Sequence, residues 1–171
     1  MNAEERRQAV RSMLLKSGKP VTGADLAASL GVSRQVIVQD IAILRARGEP
    51  VIATPQGYAG RRSALEPGET RVMACKHDVK RVRDELMVMV NAGGEVLDVI
   101  VEHPLYGEMS GNLMLRSPAD VDRFMARLQS TKASLLSSLT GGVHLHTIRA
   151  ASPAVFSEIA SGLKAKGFLL D

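Results

Sequence analysis

The sequence predicts an α+β protein built from two parts, a helical N-terminal third and a longer part in which strands and helices alternate. Helical spacing of apolar residues dominates the first part, whereas β-branched runs alternate with amphipathic segments in the second. The net charge of +4 also divides unevenly, since residues 1–62 hold 10 Lys and Arg against 5 Asp and Glu, and residues 63–171 hold 12 against 13. We therefore predict domains over 1–62 and 68–171, joined by a linker around residues 60–68.

Composition excludes several classes of protein. At 171 residues the chain is long enough to bury a core, and with 3% aromatic residues and no Trp that core must be aliphatic. Cys75 is the single cysteine, so no intrachain disulfide forms, and we assign Cys75 to the core and not to a ligand set. No signal-peptide pattern and no apolar run of ~18 residues is present, which predicts a soluble, cytoplasmic protein without a membrane partner.

The first part has the element order of a winged helix-turn-helix. A helix over Ala3–Ser17 is followed by a shorter one over Gly23–Leu30 that Thr22 caps, and then by a turn at Gly31. Ser33 caps a third helix that runs to Arg47. Two short extended runs at 50–53 and 58–59 flank residues 54–57 and predict a β-hairpin, the wing.

The exposed face of the third helix carries side chains suited to reading DNA bases. With Ile37, Ile41 and Leu44 buried, the opposite face offers Arg and Gln, which bind guanine and adenine edges in the major groove. The alternative is an ordinary solvated polar face. The predicted DNA-binding residues are Ser33, Arg34, Gln35, Val38 and Gln39 on the helix, with Arg45 further along it, and Gln56, Tyr58, Arg61 and Arg62 on and after the wing.

The second part predicts helices on one face of a small sheet. Strands are expected over 70–75, 95–102 and 143–149, with a possible further strand within 103–115. Helices are expected over 78–91, 117–129 and 152–166, the last two with Pro118 and Pro153 at the first helical position. This pattern predicts a small α/β sandwich.

All four histidines lie in this second part, and three of them suggest a metal site. His144 and His146 are two residues apart on a predicted strand, so their imidazoles share one face. His77 follows a strand end, and Glu85 lies in the next helix. Three His and one carboxylate suit a divalent transition metal such as Zn, Ni, Co or Fe. The alternative is ordinary structural histidines.

A second polar group, His103 to Glu108, suits a loop that lines a small-molecule pocket, and the alternative is a simple turn between strands. No catalytic Ser-His-Asp set or phosphate-binding glycine loop is present. An enzyme would have to use a metal-activated water with Glu102 or Glu108 as base.

Three segments resemble the three-histidine (3H) domain: His77-Asp78, the run from Glu102 to Glu108, and the run from Leu139 to Ile148. With a winged helix-turn-helix before it, the chain resembles the NiaR family of niacin-responsive transcriptional repressors over nearly its whole length. The resemblance implies a non-enzymatic homodimer that binds operator DNA with nicotinic acid as corepressor and regulates genes of NAD biosynthesis or niacin uptake.

The resemblance also implies roles for individual residues. The metal ligands would be His77, Glu85, His144 and His146. The resemblance does not fix the ion, since such a ligand set accepts Ni, Zn or a similar divalent metal. His103 matches the remaining histidine of the family, and together with Tyr106 and Glu108 of the same loop we assign it to the effector-binding site. Two alternatives stay open: a repressor for which the metal itself is the signal, and a metal-dependent enzyme that carries a DNA-binding module.

Overall fold

A computed structural model describes residues 1–60 and 67–171 of the chain, which divides into two compact units, Met1–Glu66 and Pro67–Asp171. Arg61, Arg62 and most of the predicted linker lie outside the described residues. The first unit contains α1 (Ala3–Ser17), α2 (Gly23–Leu30), α3 (Arg34–Ala46), β1 (Val51–Thr54) and β2 (Gly57–Gly60).

Helices α2 and α3 are capped as the sequence predicts. The Thr22 side chain accepts a hydrogen bond from the backbone of Asp25 and begins α2, and the Ser33 side chain does the same for Val36 at the start of α3. Gly31 ends α2 in the left-handed conformation, with φ of 65°. The two strands pair antiparallel as the wing, and one aliphatic core joins all three helices to β1: Val10, Leu14, Leu26, Ala27, Ile37, Ile41, Leu44 and Val51.

A buried ion pair that the sequence does not predict joins α1 to α3. Asp40 is 1% exposed, and its carboxylate lies 2.6 Å from Nε of Arg6. Because the loss of a counter-ion leaves a buried charge unpaired, this contact fixes how α1 packs across α3.

The second unit contains β3 (Glu69–Lys76), α4 (Val82–Asn91), β4 (Glu95–His103), β5 (Gly107–Leu115), α5 (Pro118–Thr131), β6 (Val143–Ala150) and α6 (Pro153–Ala165). Its four strands form an antiparallel sheet in the order β3-β6-β4-β5. The three helices share one core with one face of the sheet, and the most deeply buried members include Leu86, Met89, Val96, Leu115, Ile148, Phe156, Ile159 and Leu163.

Three details differ from the sequence-based expectation. The segment predicted as one helix from residue 78 begins as a short 3-10 helix, Val79–Arg81, where the Asp78 side chain accepts from the Lys80 backbone, and only then continues as α4. The stretch after His103, for which the sequence indicated only a possible strand within 103–115, contains the full strand β5, Gly107–Leu115. A second 3-10 helix, Leu136–Thr140, precedes β6 and was not expected.

Among the described residues, no single helix is long and apolar enough to cross a membrane, although α2 and α3 together, bent by 105°, meet the length and composition limits.

Candidate metal centre and DNA-binding surface

Three histidines converge on one buried carboxylate in the second unit. The Nε2 atoms of His77 and His144 lie 2.6 Å and 2.8 Å from the two oxygens of Glu85. Nε2 of His146 lies 3.3 Å from the same oxygen that His144 contacts. All four side chains are at most 4% exposed. The four residues that the sequence singled out as metal ligands are therefore neighbours.

Backbone carbonyls orient each of these imidazoles. Nδ1 of His77, His144 and His146 lies 2.7, 2.8 and 2.7 Å from the carbonyl oxygens of Asp78, Gly142 and Asp98, respectively. Since a carbonyl oxygen only accepts, each Nδ1 carries the proton and each Nε2 points inward. This outer hydrogen bond is the arrangement that metal-binding histidines use to fix their tautomer.

The pKa shifts of Glu85 and His77 indicate that the cluster contains an ionised carboxylate. Burial acts to raise the pKa of Glu85, but its close contacts with the His144, His146 and His77 imidazoles outweigh burial and hold that pKa below its ordinary value. Burial acts to lower the pKa of His77. The hydrogen bonds of this imidazole to the Glu85 carboxylate and the Asp78 carbonyl outweigh burial, so the pKa of His77 is raised overall. The carboxylate is thus ionised and available to a cation.

One buried atom of the cluster has no hydrogen-bond partner in the part of the chain that the structure describes. That atom is Nε2 of His146, on a side chain 4% exposed. A buried nitrogen without a partner costs free energy, and a metal ion bonded to it would remove that cost. Together with a donor set of three imidazoles and a carboxylate, this atom shows that the residues present fit a divalent transition metal.

Cys75 borders the same cluster. It is fully buried in the core, as predicted, but it also pairs with His144 across β3 and β6, so both side chains point to the same sheet face. A ligand atom of Cys75 lies within 4.8 Å of one from Glu85 and one from His144. Burial, and then the neighbouring Glu85 carboxylate, raise the pKa of the Cys75 thiol.

An apolar cleft adjoins the histidine cluster. His77, His144, His146 and Glu85 form its polar end, and the rest of its lining is mainly aliphatic and aromatic: Val82, Leu86, Val99, Leu113, Phe124, Leu135, Leu136 and Ser137. An apolar pocket that ends in a few converging polar groups is the usual form of a small-molecule site.

The predicted effector residues lie elsewhere on the second unit. His103, Tyr106 and Glu108 belong to the β4–β5 hairpin, and none of them lines the cleft. Nδ1 of His103 accepts from the backbone N–H groups of Leu105 and Tyr106, at 3.1 and 3.2 Å, so this ring stabilises the turn. Tyr106 is 70% exposed. Their part in effector binding stays a prediction.

In the first unit, α3 presents the predicted base-contacting side chains to solvent. Arg34, Gln35 and Gln39 are exposed, as are the Ser33 cap and Arg45, and Val38 is half-buried among them. Within the described residues of the first unit this face is open to solvent, and the major groove of DNA admits an α-helix.

The wing side chains are more involved in packing than the sequence suggests. Tyr58 exchanges two backbone hydrogen bonds with Val21, each 2.8 Å long, and its ring packs against the winged-helix core. The Gln56 amide is buried, and neither of its polar atoms has a hydrogen-bond partner among the described residues. Their contacts to DNA stay predictions, as do those of Arg61 and Arg62, which lie outside the described residues.

Comparison with known proteins identifies the class of protein to which this chain belongs. Residues 6–59 match an HTH domain, and residues 70–171 match a 3H domain. The chain is 45% identical over 170 residues, 98% of its length, to the probable transcription repressor NiaR of Thermotoga maritima, and covers 95% of that protein. It is 39% identical over 167 residues, 96% of its length, to the transcription repressor NadR of Bacillus subtilis, and covers 93% of it. The fold and these relatives define a helix-turn-helix transcription repressor with a 3H domain.

The chain belongs to the NiaR family of transcription repressors. The winged-helix and 3H assignments made from the sequence are confirmed, and so is the interpretation that the protein is a regulator and not an enzyme. What the sequence missed are the carbonyls that hold the imidazoles and the apolar wall of the cleft. Gly142 was a signal for one of these carbonyls, since it lies two residues before His144 at the start of the His-x-His pair.

Proposed function

We propose that this protein is a cytoplasmic repressor that binds operator DNA as a homodimer, with nicotinic acid as corepressor and a divalent transition metal in its 3H domain. Its targets would be genes of NAD biosynthesis or niacin uptake. The observation that carries the proposal is the convergence of three Nε2 atoms on the buried Glu85 carboxylate in the lining of an apolar cleft.

The metal would be held by His77, Glu85, His144 and His146. A bound Ni²⁺ or Zn²⁺ ion would supply positive charge and a coordination position that an anionic aromatic acid can fill. The residues supply the rest: carbonyl-anchored imidazoles keep their lone pairs inward, and burial excludes the water that would compete with the effector.

The cleft suits the ring of the effector. Nicotinate is small, planar and negatively charged at neutral pH, so its ring needs an apolar wall and its carboxylate needs a cation. Phe124, Leu113 and Leu136 offer such a wall, and the polar end of the cleft offers the site for the charge. A single orientation therefore satisfies both halves of the molecule.

Corepression requires that nicotinate bind the DNA-bound form of the dimer more tightly than the free form. Each recognition helix, α3, would occupy one half-site, and half-sites of dimeric helix-turn-helix proteins lie about 34 Å apart, one DNA turn. The ligand need not contact DNA, since it only has to favour the spacing that fits both half-sites.

The test is operator binding with four preparations of the full chain. An operator is first selected from random duplexes, and gel-shift titrations then compare chelated and Ni²⁺-loaded protein, each with and without nicotinate. We expect nicotinate to tighten binding about 5- to 150-fold in the loaded protein and to change little in the chelated one. Sedimentation of the same samples should give a dimer.

The other outcomes separate the alternatives. No response to nicotinate in loaded protein would refute the effector assignment. Tightening by metal alone, with no nicotinate effect, would support a metal-responsive repressor. Consumption of nicotinate in the same samples would support an enzyme that carries a DNA-binding module.

Paired variants locate the effector. Leu136→Asn places a polar group in the cleft wall, whereas Tyr106→Ala changes only the exposed hairpin. We expect the Leu136 variant to bind nicotinate at least tenfold more weakly, as measured by calorimetry on loaded protein. A loss confined to the Tyr106 variant would instead favour the hairpin residues predicted from the sequence.

A further inference from the structure

We propose that Cys75 supplies a sulfur ligand to the 3H-domain metal centre, so that in this chain the site favours thiophilic divalent ions such as Zn²⁺, Co²⁺ and Cd²⁺ over Mn²⁺. The inference rests on the metal site of the proposed function, but not on nicotinate or DNA binding.

The position of Cys75 in the sheet carries the argument. Cys75 on β3 is the direct partner of His144 on β6, and residues directly opposite in an antiparallel pair project to the same face. That face holds the histidine cluster. A ligand atom of Cys75 lies within 4.8 Å of ligand atoms of Glu85 and His144, so sulfur, carboxylate oxygen and imidazole nitrogen surround one small volume.

A second, independent observation indicates a ligand at the same place. Nε2 of His146, buried and aimed into the cluster, has no hydrogen-bond partner among the described residues. An ion that bonded to it would lie among the side chains that Cys75 adjoins, since the His144 and His146 rings are 4.8 Å apart between centroids.

Sulfur changes the chemistry of the site. When the ion binds, the Sγ–H bond breaks, its proton passes to solvent, and the freed electron pair forms the metal–sulfur bond. Thiolate is a soft donor that prefers Zn²⁺, Co²⁺ and Cd²⁺, whereas Mn²⁺ prefers oxygen ligands. Imidazole and carboxylate alone would not separate these ions as strongly.

The test uses the chelator-treated full chain with Co²⁺ as the probe. Thiolate bound to Co²⁺ gives a near-ultraviolet charge-transfer band that nitrogen and oxygen ligands do not give. We expect the band in the wild type and its loss in Cys75→Val, which keeps an apolar side chain of similar size in the core, and in Cys75→Ser. Met73→Leu is the matched control, because Met73 is the other sulfur residue on this part of β3 and pairs with His146.

Affinity gives a second measurement. Competition with a chelating dye should show Cd²⁺ binding weakened about tenfold or more in Cys75→Val, a loss on the scale of removing a group that supports a metal site, with Mn²⁺ affinity unchanged. Circular dichroism checks that the variant is folded.

Each outcome decides the point. Wild-type protein that binds Co²⁺ without the band would overturn the role of Cys75 and leave the His and Glu site intact. Wild-type protein that binds none of these ions would overturn both this inference and the metal part of the proposed function. A band that survives Cys75→Val would overturn the proposal, since Cys75 is the single cysteine of the chain.

Discussion

Glu85 and His144 are 59 residues apart in sequence, yet Oε1 of Glu85 lies 2.8 Å from Nε2 of His144 in the interior of the second unit. The contact depends on two elements, because α4 delivers the carboxylate onto the sheet and β6 delivers the imidazole from it. His77, which directly follows β3, places its Nε2 atom 2.6 Å from the other carboxylate oxygen of Glu85. The site is therefore a property of the assembled fold.

Replacing the carboxylate should remove metal binding while keeping the shape of the site. In Glu85→Gln the neutral amide no longer offers a charged oxygen, and its NH₂ group faces Nε2 of His77 or His144. We expect the melting temperature to lose its response to Ni²⁺, which in the wild type is worth about 2.7 kcal/mol at an ion concentration 100 times Kd.

Glu102→Gln is the control, because Glu102 is an exposed carboxylate on β4 of the same domain. It should melt like the wild type with and without Ni²⁺. An unchanged Ni²⁺ response in Glu85→Gln would contradict the assignment of Glu85 as a ligand.

Gly142 contacts the backbone of His77 and the side chain of His144, and this position should not tolerate a side chain. A Cβ at this position would lie 2.3 Å from the carbonyl oxygen of His77, and the Gly142 carbonyl accepts from Nδ1 of His144. Its φ of 93° adds strain for any other residue, of order 1–3 kcal/mol. We expect Gly142→Ala to lower both the free energy of unfolding and the Ni²⁺ affinity.

Gly141→Ala provides the comparison. Gly141 also has a positive φ, 60°, but a Cβ there meets nothing within 4 Å. The Gly141→Ala variant should lose only the free energy of unfolding that the backbone strain costs, and its Ni²⁺ affinity, measured by calorimetry, should be unchanged. Equal losses of affinity in the two variants would mean that the contact with His77 has no role in the site.

The order of elements was predictable because caps and glycine turns act locally. Thr22, Gly31 and Ser33 each mark a helix boundary through a hydrogen bond or a backbone conformation set within a few residues, and the structure keeps those boundaries. The His-x-His pair was likewise predictable, since strand geometry alone puts both rings on one face.

The parts that could not be predicted depend on long-range packing. The carbonyl of Asp98 reaches Nδ1 of His146 only because β4 pairs with β6. Every residue has a backbone carbonyl, so the amino-acid sequence does not indicate which carbonyl accepts this hydrogen bond. Asp40 likewise resembles an ordinary exposed carboxylate of a helix until α1 brings Arg6 over it. The wall of the cleft needs α5 and the second 3-10 helix together.

The start of α5 should show a pH-dependent contribution to stability. The Asp120 carboxylate accepts from the Ser117 backbone and, in return, the Ser117 side chain accepts from Asp120. Burial acts to raise the pKa of Asp120, but bonds from the Arg116 backbone and from Arg123 lower it overall. A depressed folded-state pKa gives stability that is present above the ordinary pKa of 3.8 and is lost as the pH falls through the folded value.

We therefore expect Asp120→Asn to lower the free energy of unfolding by about 0.5–1 kcal/mol at pH 7, a typical value for a helix-terminal charge. The difference from the wild type should shrink as the pH falls below 3.8, measured by urea denaturation at a series of pH values. A difference that grows on acidification would show that the carboxylate is not the stabilising form.

Recognition of the operator should depend on the exposed face of α3. Arg34→Ala or Gln39→Ala removes a side chain able to contact a base edge, so each should cost about 1–3 kcal/mol of operator affinity and relax specificity at one base pair. Lys16→Ala, which removes an exposed charge at the end of α1, is the control and should have little effect on specificity. Equal losses on operator and random DNA would indicate phosphate contacts only.

Arg61 and Arg62 follow the wing in sequence, and we expect them to act through contacts with DNA phosphates. Replacing either with Ala should weaken binding to operator and random DNA alike, because a phosphate contact carries no base information. Each replacement should also reduce by about 1 the slope of log affinity against log salt concentration, since one fewer counter-ion is released. The measurement is a gel-shift titration at four salt concentrations with both duplexes. A loss restricted to the operator, with the salt slope unchanged, would instead assign these arginines to base edges in the minor groove.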